Sequence, residues 1–314
     1  MRVLITGCTG FVGSHLASAW SEQPAGVDVH GTSRSGRWRS DSPHAARVAL
    51  HAIDLFDGQG YDRLLASHPP DVVVHLAGYA NPSDAKREPD ACRRANVEGT
   101  MILLESIRRA GLAPRLLFAS SGAVYGHPTV GPVVFDESFP AANDHPYARS
   151  KADAEEWLVE FASAWPMPII RMRMFNSIGP GQPLGYIVTD VAKEIADLER
   201  RPSPRRLRNR NLAEFRNFLD VRDTVRAILG LAQFGIPGEA YNIASKRTVQ
   251  LIEVVEVLRS LASVPIEDDS VADRRPSPYE VSTAKIAALI GWAPRYTLED
   301  SFRAVLDEWR QRSP

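Results

Sequence analysis

The sequence predicts an α/β fold, a doubly wound parallel sheet with a smaller C-terminal lobe, and three observations carry that expectation. Short apolar, β-branched runs alternate with helical stretches through the first 174 residues. That spacing belongs to right-handed strand–helix–strand crossovers. One run, Val72-Val73-Val74-His75, is apolar without alternation, the pattern of a strand covered on both faces. Beyond Phe175 the texture changes to turn residues and shorter segments, which reads as a second lobe.

Taken in order, Val3-Leu4-Ile5-Thr6 is a strand that runs into glycines, and residues 11–20 form the first helix. A second strand over 28–32 leads into a polar loop rich in Arg and Ser over 33–47. A strand at 48–53, a helix at 61–67 and the turn His68-Pro69-Pro70-Asp71 precede the buried strand. A helix over 90–110 feeds a strand at 115–119. The next helix, 147–164, stops before Trp165-Pro166-Met167-Pro168, and a strand at 169–173 follows. In the second half, Asn176-Ser177-Ile178-Gly179-Pro180-Gly181-Gln182-Pro183 is a cluster of turn residues, with helices expected at 188–199, 221–232 and 251–261. The division expected is 1–174 against 175–314, with segments near 217–243 returning to the first domain.

The 314 residues are 44% hydrophobic and 24% charged, ordinary for a globular chain. A formal net charge of −1 gives no overall reason to expect nucleic acid or an acidic membrane as partner. Two cysteines, Cys8 and Cys92, exclude a disulfide framework and fit a reducing compartment. The start runs straight into a strand, and no apolar stretch reaches the ~20 residues that span a bilayer. The expectation is a cytoplasmic protein with neither membrane nor nucleic acid as partner. The basic run over 200–210 reads first as a solvated loop and second as a phosphate site.

Gly7-Cys8-Thr9-Gly10-Phe11-Val12-Gly13 sits directly between the first strand and the first helix. Its first glycine permits the turn, the second admits a pyrophosphate close to backbone N–H groups, and the third lets helix and strand pack. The helix N-terminus adds unsatisfied donors and partial positive charge. The first domain is therefore read as Rossmann-type, with Gly7, Thr9, Gly10, Phe11, Val12 and Gly13 against a dinucleotide. After the second strand stands Gly31-Thr32-Ser33-Arg34-Ser35, with no carboxylate to accept from a ribose 2′-hydroxyl. Ser33 and Arg34 suit a 2′-phosphate, so NADP is expected, with NAD as the alternative. Asp54 and Leu55 are placed at the adenine, and Leu76, Ala77 and Gly78 along the middle of the cofactor. His75 reads as a hydrogen-bonded core histidine, and no metal site is expected.

Tyr147-Ala148-Arg149-Ser150-Lys151 sets a tyrosine and a lysine four apart at a helix start, on one face. A free phenol has a pKa near ~10 and is a poor base at neutral pH. A neighbouring ammonium and an oxidised nicotinamide are expected to bring it down toward ~7. In the reducing direction the neutral tyrosine donates the proton. Leu116-Leu117-Phe118-Ala119-Ser120-Ser121 ends a buried strand in hydroxyls, at the edge where α/β sheets hold ligands. Ser121 is chosen to hydrogen-bond the reacting oxygen, with Ser120 as the second choice. Ser121, Tyr147 and Lys151 form the expected catalytic group.

With these segments, together with His75-Leu76-Ala77-Gly78 and Asn96-Val97-Glu98-Gly99-Thr100, the chain resembles the extended short-chain dehydrogenase/reductases that act on nucleotide sugars. The C-terminal half is most similar to the branch acting on GDP-linked sugars. The segments behind that are Arg173-Met174-Phe175-Asn176-Ser177-Ile178-Gly179-Pro180-Gly181-Gln182, the stretch 211–223, and Arg275-Pro276-Ser277. The resemblance implies a nucleotide-sugar substrate held at Ser121, Asn176, Lys193, Arg216 and Arg275. Arginine forks match a diphosphate with paired hydrogen bonds. Related dehydratases carry acidic residues just after the catalytic hydroxyl; here Gly122 and Ala123 stand there. Asn96 is read either as positioning a water near Lys151 or as orienting its helix. The expectation is NADPH-dependent reduction of a nucleotide-linked 4-keto sugar. The rivals are a 4-epimerase that retains NAD and a non-catalytic dinucleotide-binding sensor or scaffold. A homodimer through helices 90–110 and 147–164 is also implied.

Overall fold

A computed structural model describes residues 1–23, 26–38, 47–126, 133–142, 145–272 and 279–312. The chain begins β1 (Arg2–Thr6), α1 (Phe11–Ser21), β2 (Asp28–Ser33), β3 (Ala49–Ala52), α2 (Gly58–Ser67) and β4 (Val72–His75). It continues α3 (Pro82–Arg87), α4 (Pro89–Arg93), a π-helical turn (Arg94–Glu98), α5 (Gly99–Arg109), β5 (Arg115–Ser121) and a 3-10 turn (Gly122–Tyr125). Then come β6 (Val133–Phe135), α6 (Pro146–Ala164), β7 (Ile169–Met174), β8 (Asn176–Ile178), α7 (Ile187–Glu199) and β9 (Phe215–Asp220). The last elements are α8 (Val221–Phe234), β10 (Ala240–Ile243), β11 (Thr248–Gln250), α9 (Leu251–Ser260), β12 (Tyr279–Val281), α10 (Ala284–Ile290) and α11 (Leu298–Arg312).

Seven parallel strands form the main sheet in the order β10-β7-β5-β4-β1-β2-β3. Strand alternation deals residues to two cores, because successive side chains leave opposite faces. Val3, Ile5, Val72, Val74 and Leu117 pack with Leu16, Trp20, Ile228 and Leu231 of α1 and α8. Leu4, Val73, Leu116 and Phe118 pack instead with Leu64, Leu103, Ile107 and Leu158 of α2, α5 and α6. That is why the central strands carry apolar residues toward both faces: neither face meets water.

The second half divides between the two lobes. β9 lies in a three-stranded sheet, order β11-β9-β8, while its Leu219 already packs in the main core. From there α8 packs on the main core and β10 adds to the main sheet beside β7. Helix α10 returns as well, through Ile286. Around β8 and β9 a separate core gathers Val191, Ile195, Val255, Leu258, Phe302 and Leu306 from α7, α9 and α11. The helix expected over 90–110 is interrupted by the π-helical turn at Arg94–Glu98, which brings Asn96 inward at 1% exposure. Among the described residues no helix is long and apolar enough to cross a membrane. No group of three or more His, Cys, Asp or Glu among them is arranged to hold a metal.

Candidate active site

The glycine turn after β1 is closed to any side chain. Gly7 has φ +66, and a Cβ on it would stand 2.9 Å from the Ala77 backbone nitrogen. A Cβ on Gly13 would lie 2.4 Å from the Gly7 carbonyl oxygen. These are the two positions where bare backbone is required, one by conformation and one by close approach. Gly10 caps α1 without a side-chain hydrogen bond, so the first-turn N–H groups, including those of Phe11 and Val12, remain donors for an anion. Thr9 and Phe11 are half-buried at the rim. A pyrophosphate fits such a cradle.

From the cradle the strip 76–78 leads to the sheet's centre. Ala77 N–H donates to Thr6 Oγ1 at 3.2 Å, and Leu76 N–H to the Thr6 carbonyl at 3.3 Å. Gly78, at φ +148, stands where an added Cβ would lie 2.5 Å from Asn96 Oδ1 and 3.9 Å from Lys151 Nζ. One backbone strip therefore joins the glycine cradle to the lysine. At the other end, Ser33 Oγ accepts from Gly36 N–H at 3.1 Å and shapes the turn after β2. Arg34 is exposed, and among the described residues no carboxylate pairs with it. Asp54 Oδ1 accepts from Phe56 N–H at 2.9 Å, and Leu55 packs beneath Gly99.

Tyr147 enters from the first turn of α6. His145 precedes the helix and accepts from the Tyr147 N–H at 3.2 Å, and Pro146 fixes the first turn. Tyr147 is 8% exposed, and the Ser121 hydroxyl, which accepts from the Ala123 N–H at 3.1 Å, acts on its phenol. Burial pushes the phenol up to about 12, against the pull of the Ser121 hydroxyl. The downward shift expected from Lys151 is not found: the groups acting on the phenol are Ser121, Tyr186 and Cys92, and desolvation, which disfavours the anion, comes first. Lys151 is not turned to water: it is 6% exposed, and its Nζ donates to the Ala119 carbonyl at 2.8 Å, over the Phe118 ring. Burial takes its pKa down to about 8.

Strand alternation separates the two serines. Ser121 faces Tyr147, whereas the Ser120 hydroxyl donates to buried Glu155 on α6. Asn96 Nδ2 donates to Ser150 Oγ at 2.9 Å and its Oδ1 accepts from Tyr79 N–H at 2.9 Å. Its amide therefore ties the π-helical turn to α6, the orienting half of the two readings. His75 is a core histidine, held between Thr6 Oγ1 at 2.7 Å and Thr100 Oγ1 at 3.0 Å. Burial first, and Lys151 second, lower its pKa to about 3.

Of the expected substrate residues, Asn176 and Arg216 stand on the paired strands β8 and β9, and Lys193 on α7. Asn176 Nδ2 donates to the Asn217 carbonyl at 2.8 Å and ties β8 to β9. Arg216, on β9, pairs with Glu214 and donates to the Phe215 carbonyl at 2.9 Å. Lys193 pairs with Asp197 one turn on at 2.6 Å and lies toward Trp309 of α11. Arg275 lies outside the described residues. Within the basic run, Arg206 pairs with Glu267 and Asp269, and Arg210 with Glu194. These arginines are ion-paired within the second half of the chain.

Sequence reasoning missed a buried polar network behind the site. Glu155 is bound by Arg173 Nη2 at 2.9 Å, Arg173 Nη1 reaches Tyr125 Oη at 3.1 Å, and that hydroxyl donates to Asn242 Oδ1 at 2.6 Å. Its one visible signal was the acid four residues after Lys151, on the same helix face. Tyr186, which precedes α7, acts electrostatically on Tyr147 and was likewise unmarked.

The sequence profile of the NAD dependent epimerase/dehydratase family matches residues 3–244. GDP-6-deoxy-D-mannose reductase of Pseudomonas aeruginosa is 30% identical, over 99% of this chain and 98% of that protein. UDP-glucose 4-epimerase 4 of Oryza sativa subsp. japonica is also 30% identical, over 99% of this chain and 90% of its own. Among solved structures, RMD from Pseudomonas aeruginosa complexed with NADPH superposes with a TM-score of 0.82 at 29% identity, covering 99% of each chain. By a match that takes in the cradle, the tyrosine–lysine helix and the whole central sheet, this chain is a member of the NAD dependent epimerase/dehydratase family.

Proposed function

We propose that the protein is an NADPH-dependent reductase of a nucleotide-linked 4-keto sugar, of the type that converts GDP-4-keto-6-deoxy-mannose to a GDP-rhamnose product. The observation that carries the reading is the buried Ser121, Tyr147 and Lys151 group, one backbone strip away from the glycine cradle. A protein that only binds a dinucleotide needs no such group. Gly7, Thr9, Gly10, Phe11, Val12 and Gly13 would hold the pyrophosphate, and Leu76, Ala77 and Gly78 the stretch toward Lys151. Ser33 and Arg34 would hold the 2′-phosphate, and Asp54 and Leu55 the adenine. The nicotinamide, when bound, supplies the reducing equivalents.

The chain's own residues then handle the oxygen and its proton. Tyr147, held neutral by burial, carries the proton that the oxygen at C4 takes up. Ser121, within hydrogen-bond reach of that phenol, orients the same oxygen. Lys151 fixes positive charge beside the phenol from a dry position, where it acts more strongly than in water. Asn176, Arg216 and Arg275 are proposed for the nucleotide's ribose and phosphates, and Lys193 would have to exchange Asp197 for the substrate.

A reductase is favoured over a dehydratase by what stands beyond Ser121. A Cβ at Gly122 would lie 2.4 Å from the Phe175 ring, so the position is sealed by an aromatic ring. With Ala123 next to it, no acid–base pair follows the hydroxyl. Similarity to the Pseudomonas aeruginosa reductase supports the GDP-linked substrate and NADPH. The test is NADPH oxidation against a panel of GDP-, UDP- and dTDP-linked 4-keto sugars. Preference for the GDP-linked sugar is expected, and no NADPH consumption with any of them would refute the proposal.

A further inference from the structure

We propose that Glu155 is a positioning residue of the tyrosine–lysine site, fixing the strand end on which Lys151 rests and keeping its amine a cation. The inference rests on the reading of Tyr147 and Lys151 given above. Glu155 lies one helical turn beyond Lys151 on α6, so both side chains leave the same face. It is 5% exposed, accepts from the Ser120 hydroxyl, and is clasped by Arg173 through Nη2 at 2.9 Å and Nε at 3.1 Å. Arg171 adds a longer contact at 3.4 Å. Ala119, whose carbonyl holds Lys151 Nζ, is the residue before Ser120. One carboxylate thereby pins β5, α6 and β7 at the point where the ammonium sits.

The charges around Lys151 single out the same residue. Tyr147 and Glu155 flank it along α6, Cys92 faces it from α4, and His75 acts on it from β4. Burial lowers the Lys151 pKa to about 8, opposed by Cys92 and then by Glu155. Cys92 opposes only as thiolate, and burial raises its thiol above the usual 9.0, so it is neutral where Lys151 titrates. Tyr147, up at about 12, and His75, down at about 3, are neutral there too. Among the described residues Glu155 is the negative charge that remains, with the Arg173 guanidinium on its far side and Arg171 beyond.

The chain has five lysines, so lysine labelled with carbon-13 at Cε reports each amine's titration by NMR, with Lys151→Arg assigning the signal. Lys151 is expected to titrate about one unit lower in Glu155→Gln than in the wild type, the shift one nearby opposite charge makes. Glu155→Asp, which keeps the charge, is expected to titrate near the wild type. An unchanged Lys151 titration in Glu155→Gln, or equal shifts in both variants, overturns the proposal. Glu155→Gln leaves the Arg173 guanidinium buried without its partner, so Glu155→Gln/Arg173→Met is measured beside it as a variant with neither charge. A downward shift smaller than that of Glu155→Gln is expected there, because the Arg173 cation leaves together with the carboxylate; a shift as large as in the single variant, or an upward one, overturns the proposal. In an active enzyme the high-pH limb of kcat moves down with the lysine in Glu155→Gln, which a purely structural role would not do. The titration involves neither cofactor nor sugar, so a chain that shows the shift yet oxidises no NADPH refutes the reductase reading and not the role of Glu155.

Discussion

Lys151→Met is expected to stabilise the folded protein while abolishing its activity. Lys151 is 6% exposed and its pKa falls from 10.5 to about 8 on folding. The unfolded chain therefore holds the proton more tightly, so stability falls as pH drops from 10.5 toward about 8 and levels off below. A shift of this size, some ~2.5 units, amounts to roughly 3 kcal/mol lost at neutral pH. Methionine has a similar length and no charge, but it leaves the Ala119 carbonyl without its donor, at a cost of about 1 kcal/mol. The net expectation is a gain of about 2 kcal/mol at pH 7. Guanidinium unfolding of both proteins at pH 7 and near pH 10.5 measures it. The gain should vanish at the higher pH, where the wild-type lysine is no longer required to be charged in either state. A variant that is less stable at pH 7, or a gain independent of pH, would refute the claim that the folded state forces this amine into a dry site.

Three other perturbations separate the parts of the site. Tyr147→Phe should lower turnover by at least ~10²-fold, the scale of a lost proton donor, with NADPH affinity almost unchanged by fluorescence titration. Retained turnover would remove Tyr147 from the chemistry. Arg34→Asp places a carboxylate after β2, and the ratio of NADPH to NADH affinity should fall by at least ~10-fold. If the ratio stays put, the 2′-phosphate is not at Arg34. His75, whose folded pKa is about 3 against 6.5, contributes stability that is present above pH 6.5 and lost as pH falls toward 3. His75→Gln should therefore flatten the acid side of the stability curve by up to about 1.4 kcal/mol per pH unit. An unaltered slope between those pH values would show that the imidazole is not what resists protonation.

What the sequence made legible was whatever repeats locally. The unbroken apolar run at 72–75, the glycines at 7, 10 and 13, and the tyrosine and lysine one helical turn apart each carry their own geometry within a few residues. The structure places those three features along one strip of backbone. The smaller sheets were not legible: β8 and β11 beside β9, and β6 and β12, which pair with each other, are three residues each, too short for any alternation to show. β9 was not legible as a strand of its sheet, because its neighbours Phe218 and Leu219 are dealt to different cores. The Glu155–Arg173–Tyr125–Asn242 network was invisible for a different reason: its members lie on α6, β7, the 3-10 turn and β10, far apart in the chain. Nor does spacing disclose desolvation. A lysine four residues after a tyrosine implies a lowered phenol pKa, and only burial shows that the phenol instead goes up and the lysine comes down.

The most direct test of the account follows one deuterium. NADPH carrying deuterium on the transferred position of the nicotinamide is incubated with the protein and a GDP-linked 4-keto-6-deoxy sugar, and the product is examined by mass spectrometry and NMR. A reductase with Tyr147 as proton donor predicts one deuterium at C4 of the sugar for each NADPH oxidised. Deuterium at another carbon, or product formed with no net oxidation of the cofactor, would contradict it.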